Sequence, residues 1–206
     1  MRIKMTASNE EQELKDRLSL IESMIAEGRR TTTSWGWIFV FWGVAYYVAI
    51  GWTAYNRWPF AWLVTMLGAW LLCGAIIWSK KKSQPQHRPC TTIGRAISSI
   101  WFATGVSMVL IFPALSFSGH VNWHIFVAIV AAMLGLVNGA SGMLLRWKAQ
   151  IATAYVWWAA TVAACFGSDN QCSFVFVVAI FFCQIVFGGY AMSCEARARR
   201  LEANHA

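Results

Sequence analysis

Charged side chains are scarce in this chain, and six long stretches contain none in their interior. Asp, Glu, Lys and Arg make up 13% of the 206 residues, whereas a soluble domain carries about a quarter. Ion-coupled transporters, proton relays and voltage sensors keep ionisable residues inside the membrane because their mechanisms use them. The sequence also has no Walker A motif, no dinucleotide-binding fingerprint and no HExxH pair. We therefore predict a protein that is not an enzyme and takes no cofactor.

The six cysteines include no CxxC spacing, so that sequence signal for a metal or redox site is absent. Cys73 and Cys183 fall within apolar stretches, where we expect them to pack like small hydrophobic residues. Cys165 and Cys172 flank the segment FGSDNQ. An oxidising compartment would allow a disulfide between them, and the distance between the two residues decides whether it forms.

Long apolar stretches are what the chain has instead. Residues 35–52 read WGWIFVFWGVAYYVAIGW and hold no charge, and about 20 such residues in a helix cross a hydrocarbon layer of about 30 Å. The sequence predicts an all-α membrane helical bundle with six transmembrane helices, which the similar stretches Ile38–Val44, Ile100–Val106 and Val156–Val162 would arrange as three hairpins. The predicted spans are 35–54, 59–78, 96–116, 123–145, 150–166 and 173–193. Residues 1–34 form a cytoplasmic amphipathic helix and connector, and 194–206 a cytoplasmic tail.

Basic residues are concentrated on one side of this arrangement. Sixteen of the 17 Lys and Arg residues lie in 1–34, 79–95, 146–149 and 194–206, and only Arg57 lies on the other side. By the positive-inside rule, both termini are predicted to be cytoplasmic. The net charge of +8 is then explained by attraction to the anionic leaflet of the bilayer, with no nucleic-acid partner.

The N-terminal segment carries a regular apolar stripe. Leu14, Leu18, Ile21 and Ile25 recur at i, i+4, i+7 and i+11, which predicts one apolar face on a helix. This face suits a helix packed under the bundle, a short dimerising coiled coil or a docking helix for another protein. The stripe alone does not distinguish these three interpretations.

A few polar residues inside the spans are the other candidates for function. Tyr46, Tyr47, Asn138 and Gln184 would hydrogen-bond between helices or line a pathway for a small neutral solute. His120 and His124 stand near Asp169 and Cys172 at the outer end of the bundle, where they form a weak candidate for a transition-metal site. Gly135 and Gly139 form a GxxxG pair that predicts close helix packing within the chain.

Residues 18–30, LSLIESMIAEGRR, followed by a polar step and WGWIFVFWGVAYY, resemble a group of small uncharacterised bacterial inner-membrane proteins with an amphipathic N-terminal helix and six spans. The resemblance covers about the first fifty residues. It implies a bacterial inner-membrane location and brings no activity with it. The function that the sequence predicts is a non-enzymatic membrane interaction or regulatory module, and the alternative is a passive pathway for a small neutral solute.

Overall fold

A computed structural model describes residues 2–56, 60–83, 92–118 and 122–205. These residues are helical apart from short connections, and they contain no strand. The helices are α1 (Arg2–Ser34), α2 (Gly36–Asn56), α3 (Ala61–Ser83), α4 (Thr92–Ser118), α5 (Trp123–Leu144), α6 (Lys148–Phe166), α7 (Asp169–Ile180) and α8 (Phe187–His205), with a π turn (Phe181–Val186) between the last two. Residue 59, at the start of the second predicted span, and His120 lie outside the described residues.

Six helical stretches are long and apolar enough to cross a membrane. They are Glu11–Tyr55, Ala61–Lys80, Thr92–Leu115, Trp123–Leu144, Lys148–Phe166 and Asp169–Leu201. The last stretch passes through the π turn and continues as α8, so the polar segment expected to be a tail is helical as far as His205. The all-helical fold predicted from the apolar stretches is therefore confirmed.

The N-terminal segment has no polar connector before the first apolar helix. Helix α1 runs through the threonines to Ser34, and only Trp35 separates it from α2. The hydroxyl groups of Thr31 and Thr32 donate to the carbonyls of Glu27 and Gly28, four residues earlier. Because these polar side chains are satisfied within the helix, they do not interrupt it.

Helix α5 is the centre of the bundle. Of its most apolar stretch 61% is buried, against 11% for α4. It packs most extensively on α6, where an added Cβ on Gly139 would lie 2.9 Å from the Trp158 ring and one on Gly142 would lie 2.9 Å from the Ile151 backbone nitrogen. The prediction that Gly135 and Gly139 serve packing within the chain is confirmed, since an added Cβ on Gly135 would also meet Trp158. The helices of the most extensive contact, α5 and α6, correspond to the fourth and fifth predicted spans. They therefore belong to two different hairpins of the arrangement predicted from the sequence.

Candidate functional site

The apolar stripe of α1 is exposed over most of its length. All residues from Glu11 to Ser23 are exposed, a length of about 20 Å at 1.5 Å per residue. Leu14, Leu18 and Ile21 are 60%, 54% and 50% exposed, and Ile25 is half-buried. The interpretation of a helix packed under the bundle therefore fits only the end of α1, because the described residues place nothing on the stripe before residue 24.

The C-terminal third of α1 is fixed firmly to the bundle. Arg29 donates through Nε to the carbonyl of Leu145 at 2.6 Å and through Nη2 to that of Arg146 at 2.8 Å. These carbonyls follow the end of α5 and have no helical partner of their own. At Gly28, an added Cβ would lie 2.7 Å from Leu145 Cδ2. The exposed part of α1 is thus attached to the end of the central helix.

A crevice of about 970 Å³ lies between α2, α3 and α4. Helices α3 and α4 touch each other at few positions, one of which is Gly105, whose added Cβ would lie 3.2 Å from the Trp70 ring. The walls are mainly apolar and aromatic. They include Trp37, Trp42, Trp70, Trp101, Phe102 and Met108.

The mouth of the crevice is at the end of the bundle where α1 joins it. Lys80 lines this mouth, and its Nζ lies 4.2 Å from the centre of the Trp37 ring. Glu195 and Arg199 also line it and pair with each other at 2.6 Å. Within the described part of the chain, Lys80 has no carboxylate partner, so the mouth carries an uncompensated positive charge.

The floor of the crevice contains two of the polar residues expected inside the spans, Tyr46 and Gln184. Both are buried, at 3% exposure each, and Gln184 Oε1 has no hydrogen-bond partner among the described residues. Gln184 belongs to the π turn, and such turns are frequent at functional sites. An unsatisfied buried acceptor costs free energy unless a water or a ligand donates to it.

Aromatic side chains close the crevice beyond Tyr46. Trp62 lies 6.0 Å from the Tyr46 ring and 5.0 Å from that of Phe126, and Phe126 lies 5.1 Å from Phe112 and 5.5 Å from Trp123. We call these five residues the aromatic cluster. No residue of the described chain that lies past this cluster lines the crevice, which is therefore open at one end of the bundle only.

The other two predicted polar residues lie elsewhere. Tyr47 donates to the backbone carbonyl of Val177 at 2.9 Å, so it joins α2 to α7. Asn138 is fully buried between α5 and α6, where it donates to the Leu134 carbonyl and accepts from Thr153 at 3.3 Å. The four residues grouped from the sequence therefore do not form one cluster.

Gln150 is a buried polar residue that the sequence did not point to. It is fully buried near the start of α6, and neither its amide oxygen nor its nitrogen has a hydrogen-bond partner among the described residues. It is the first residue of the predicted span 150–166, two residues after Lys148. The only signal was that its neighbours Ile151 and Ala154 begin an apolar stretch.

At the opposite end of the bundle the structure brings His124 and Asp169 together. His124 Nε2 lies 2.5 Å from Asp169 Oδ1, and its Nδ1 lies 2.8 Å from the Ala164 carbonyl oxygen. Both ring nitrogens are thereby engaged with protein oxygens, and the described residues contain no group of three metal-ligating side chains. Cys165 and Cys172 are both free thiols, the first exposed and the second buried, so the disulfide expected between them is not formed in this structure.

Comparison of the chain with protein-family models, with curated proteins and with solved structures gave no match. The exposed stripe on α1 and the crevice between α2, α3 and α4 are therefore the features on which a functional argument stands.

Proposed function

We propose that this protein is a bacterial inner-membrane interaction module with cytoplasmic termini that associates with a second copy of itself through α1. The observation that carries the proposal is the stripe of Leu14, Leu18 and Ile21, which stays exposed although the same helix is fixed to the bundle further along. A row of large apolar side chains left in water is unfavourable, and burial against a matching row removes that cost.

The spacing of the stripe suits a two-stranded coiled coil. The intervals of four, three and four residues from Leu14 to Ile25 are those of alternating core positions in a heptad repeat. By this register Arg17 occupies a g position, and Glu22 occupies the e position that follows it. In a parallel pair each g residue faces the e residue of the other helix five positions on, so Arg17 meets Glu22.

Insertion in one membrane favours that parallel arrangement. Two copies with the same orientation present their α1 helices on the same face of the bilayer and in the same direction. Two heptads are marginal for a free peptide, but confinement to a membrane raises the effective concentration of the second helix. Anchoring by Arg29 and Gly28 further reduces the freedom that is lost on pairing.

Dimer formation is tested by double substitution on the stripe. Leu18→Asp with Ile21→Asp places four charges in the paired core, and we expect the dimer fraction, measured by cross-linking in native membranes, to fall at least about tenfold. The matched control is Leu20→Asp, because Leu20 is 61% exposed and lies off the stripe. Equal loss in the control, or a dimer that survives the double substitution, would show that α1 does not form the contact.

Charge reversal tests the register. Arg17→Glu places two acidic residues against each other, and adding Glu22→Arg restores opposite charges with their positions exchanged. We expect the first change to weaken the dimer a few-fold and the second to restore it. A double variant as weak as the single one would contradict a parallel pair in this register.

The passive pathway for a neutral solute receives less support. A pathway needs a route through the bundle, whereas the crevice among the described residues ends at the aromatic cluster. A liposome flux assay distinguishes the two functions, since a transporter would raise the rate for some neutral solute above that of empty vesicles.

A further inference from the structure

We propose that the crevice binds a single-chain anionic lipid with a hydroxyl group between its phosphate and its chain, the chemistry of a lysophospholipid. The proposal concerns a different part of the molecule from the α1 stripe and does not depend on dimer formation. Three features of the crevice carry it: the charge at its mouth, the polar group on its floor and the opening in its side.

The charge at the mouth selects an anionic head group. Lys80 lies over the Trp37 ring without a carboxylate partner among the described residues, and the nearby Arg199 is already paired with Glu195. Lys80 is the last residue of the second helical stretch that could span a membrane, Ala61–Lys80. At that depth lipid phosphates lie close to the ammonium group, which binds them as a point charge.

The floor of the crevice selects a lipid that carries a hydrogen-bond donor below its phosphate. Gln184 lies against Gly43, where an added Cβ would be 2.9 Å from Gln184 Cβ. Trp37 and Gly43 are six residues apart on α2, which places Gln184 about 9 Å deeper than Lys80 along the helix axis. The lengths of the two side chains cover part of this distance, and a phosphate and a hydroxyl on neighbouring glycerol carbons fit what remains. Gln184 Oε1 is buried and has no protein donor among the described residues, and a rotation of the Gln184 side chain into the crevice would let the hydroxyl donate to it.

The side of the crevice provides a way out for the chain. Helices α3 and α4 barely touch, and Phe102 on α4 is 65% exposed. Gly74 lines the crevice on α3, and there is open space within 4 Å of an added Cβ there. An acyl chain that starts beside Gln184 can therefore pass between the two helices into the surrounding hydrocarbon.

The test uses three probes on the full-length protein in a non-ionic detergent. They are 1-palmitoyl lysophosphatidic acid, its 2-deoxy analogue and 1-palmitoyl lysophosphatidylcholine, with dissociation constants measured by thermophoresis. We expect the first to bind about fivefold more tightly than the deoxy analogue, because one hydrogen bond is lost, and about tenfold more tightly than the zwitterionic lipid. Equal affinity for all three would overturn the proposal.

Variants assign the contacts to residues. Lys80→Gln should weaken the binding of lysophosphatidic acid about tenfold, whereas Lys82→Gln on the same helix should leave that binding unchanged. Gln184→Leu should abolish the difference between lysophosphatidic acid and its deoxy analogue, since that difference is the hydrogen bond. If Gln184→Leu weakens the binding of both lipids equally and keeps the difference between their affinities, the hydroxyl does not bind at Gln184 and the proposal fails.

Filling the crevice separates a lipid inside it from one on the outer surface of the bundle. Gly74→Phe places a ring in the crevice, while Gly68→Phe adds the same ring to α3 at a position that has open space and does not line the crevice. We expect binding to be lost in the first variant and kept in the second, at matched thermal unfolding midpoints. Equal binding by the two variants would place the lipid outside the crevice and overturn the proposal.

Discussion

The two sides of this bundle are built in opposite ways. On one side α5 packs on α6, and α2 on α8, so closely that glycines face backbone atoms: an added Cβ on Gly36 would lie 2.8 Å from the Met192 nitrogen, and one on Gly188 would lie 2.8 Å from the Gly36 oxygen. On the other side α3 and α4 enclose a crevice, and Gly68 and Gly74 face open space. Gly68 and Gly74 therefore have no packing role, whereas the glycines of the first side do.

The difference shows what holds such helices together. Hydrocarbon chains are as apolar as leucine, so burial of apolar side chains gives little drive for association inside a bilayer. Close backbone contact over small residues, with hydrogen bonds such as that from Thr153 to Asn138, supplies the stability of the first side. The second side lacks both over most of its length, which leaves it free to bind a molecule from the membrane.

The largest contrast is expected from one substitution made on each side. Gly142→Ala puts a methyl group 2.9 Å from the Ile151 nitrogen, and we expect it to lower the free energy of unfolding by about 1–3 kcal/mol, the usual cost of overpacking. Gly74→Ala adds a methyl group where there is open space. We expect it to leave the free energy of unfolding unchanged or to raise it by up to about 1 kcal/mol. Unfolding by sodium dodecyl sulfate in mixed micelles measures both, and equal losses would contradict the comparison.

Water access gives a second contrast, measured on two cysteines. Cys73 lines the crevice, whereas Cys183 is 1% exposed and its Sγ lies 3.5 Å from the Thr153 carbonyl oxygen on the packed side. With each retained as the sole cysteine, we expect a membrane-impermeant thiol reagent to label Cys73 at least about tenfold faster, because reaction needs water to form the thiolate. With the reagent supplied to both faces of the membrane, the exposed Cys165, retained alone, is the positive control, and faster labelling of Cys183 would reverse the assignment of the two sides.

The smallest expected effect comes from a single hydrogen bond on the packed side. Tyr47→Phe removes the bond to the Val177 carbonyl, and interhelical hydrogen bonds of this kind contribute about 0.6 kcal/mol on average. Tyr155→Phe, at a position that is 64% exposed, is the matched control with no expected change. A loss above about 2 kcal/mol for Tyr47→Phe would show that this bond organises the π turn as well as joining two helices.

Local patterns were enough to predict the helices and one of the packed interfaces. The apolar stretches predicted an all-helical chain, and the spacing of Gly135 and Gly139 predicted the close contact that α6 makes through Trp158. The stripe on α1 was also visible in the sequence. Each of these features depends on the residues of a single helix.

The crevice and its charged mouth could not be predicted in this way. Every face of α3 is apolar, so the sequence does not distinguish the side that faces lipid from the side that lines the crevice. Lys80 was assigned to a loop, although it lies on α3 over Trp37. Tyr46 and Tyr47 are neighbours along the chain but point to different partners, and that separation depends on how α2 is rotated against the rest of the bundle.

The π turn keeps the buried residues of α7 and α8 on nearly the same side of the helical stretch that they form together. Buried residues from Cys172 through Phe176, Ile180 and Gln184 to Gly188 recur every four residues, and in a regular helix of 3.6 residues per turn such a row drifts about 40° at each step. Over four steps it would move from one face of the helix almost to the opposite one. The wider turn at Phe181–Val186 takes up most of that drift, so α7 and α8 both present buried residues to α2 and α6. Loss of one residue at this turn would convert it into a regular helical turn and keep both halves of the helix facing the core, whereas loss of one residue from the regular helix α6 would rotate one half against the other by about 100°.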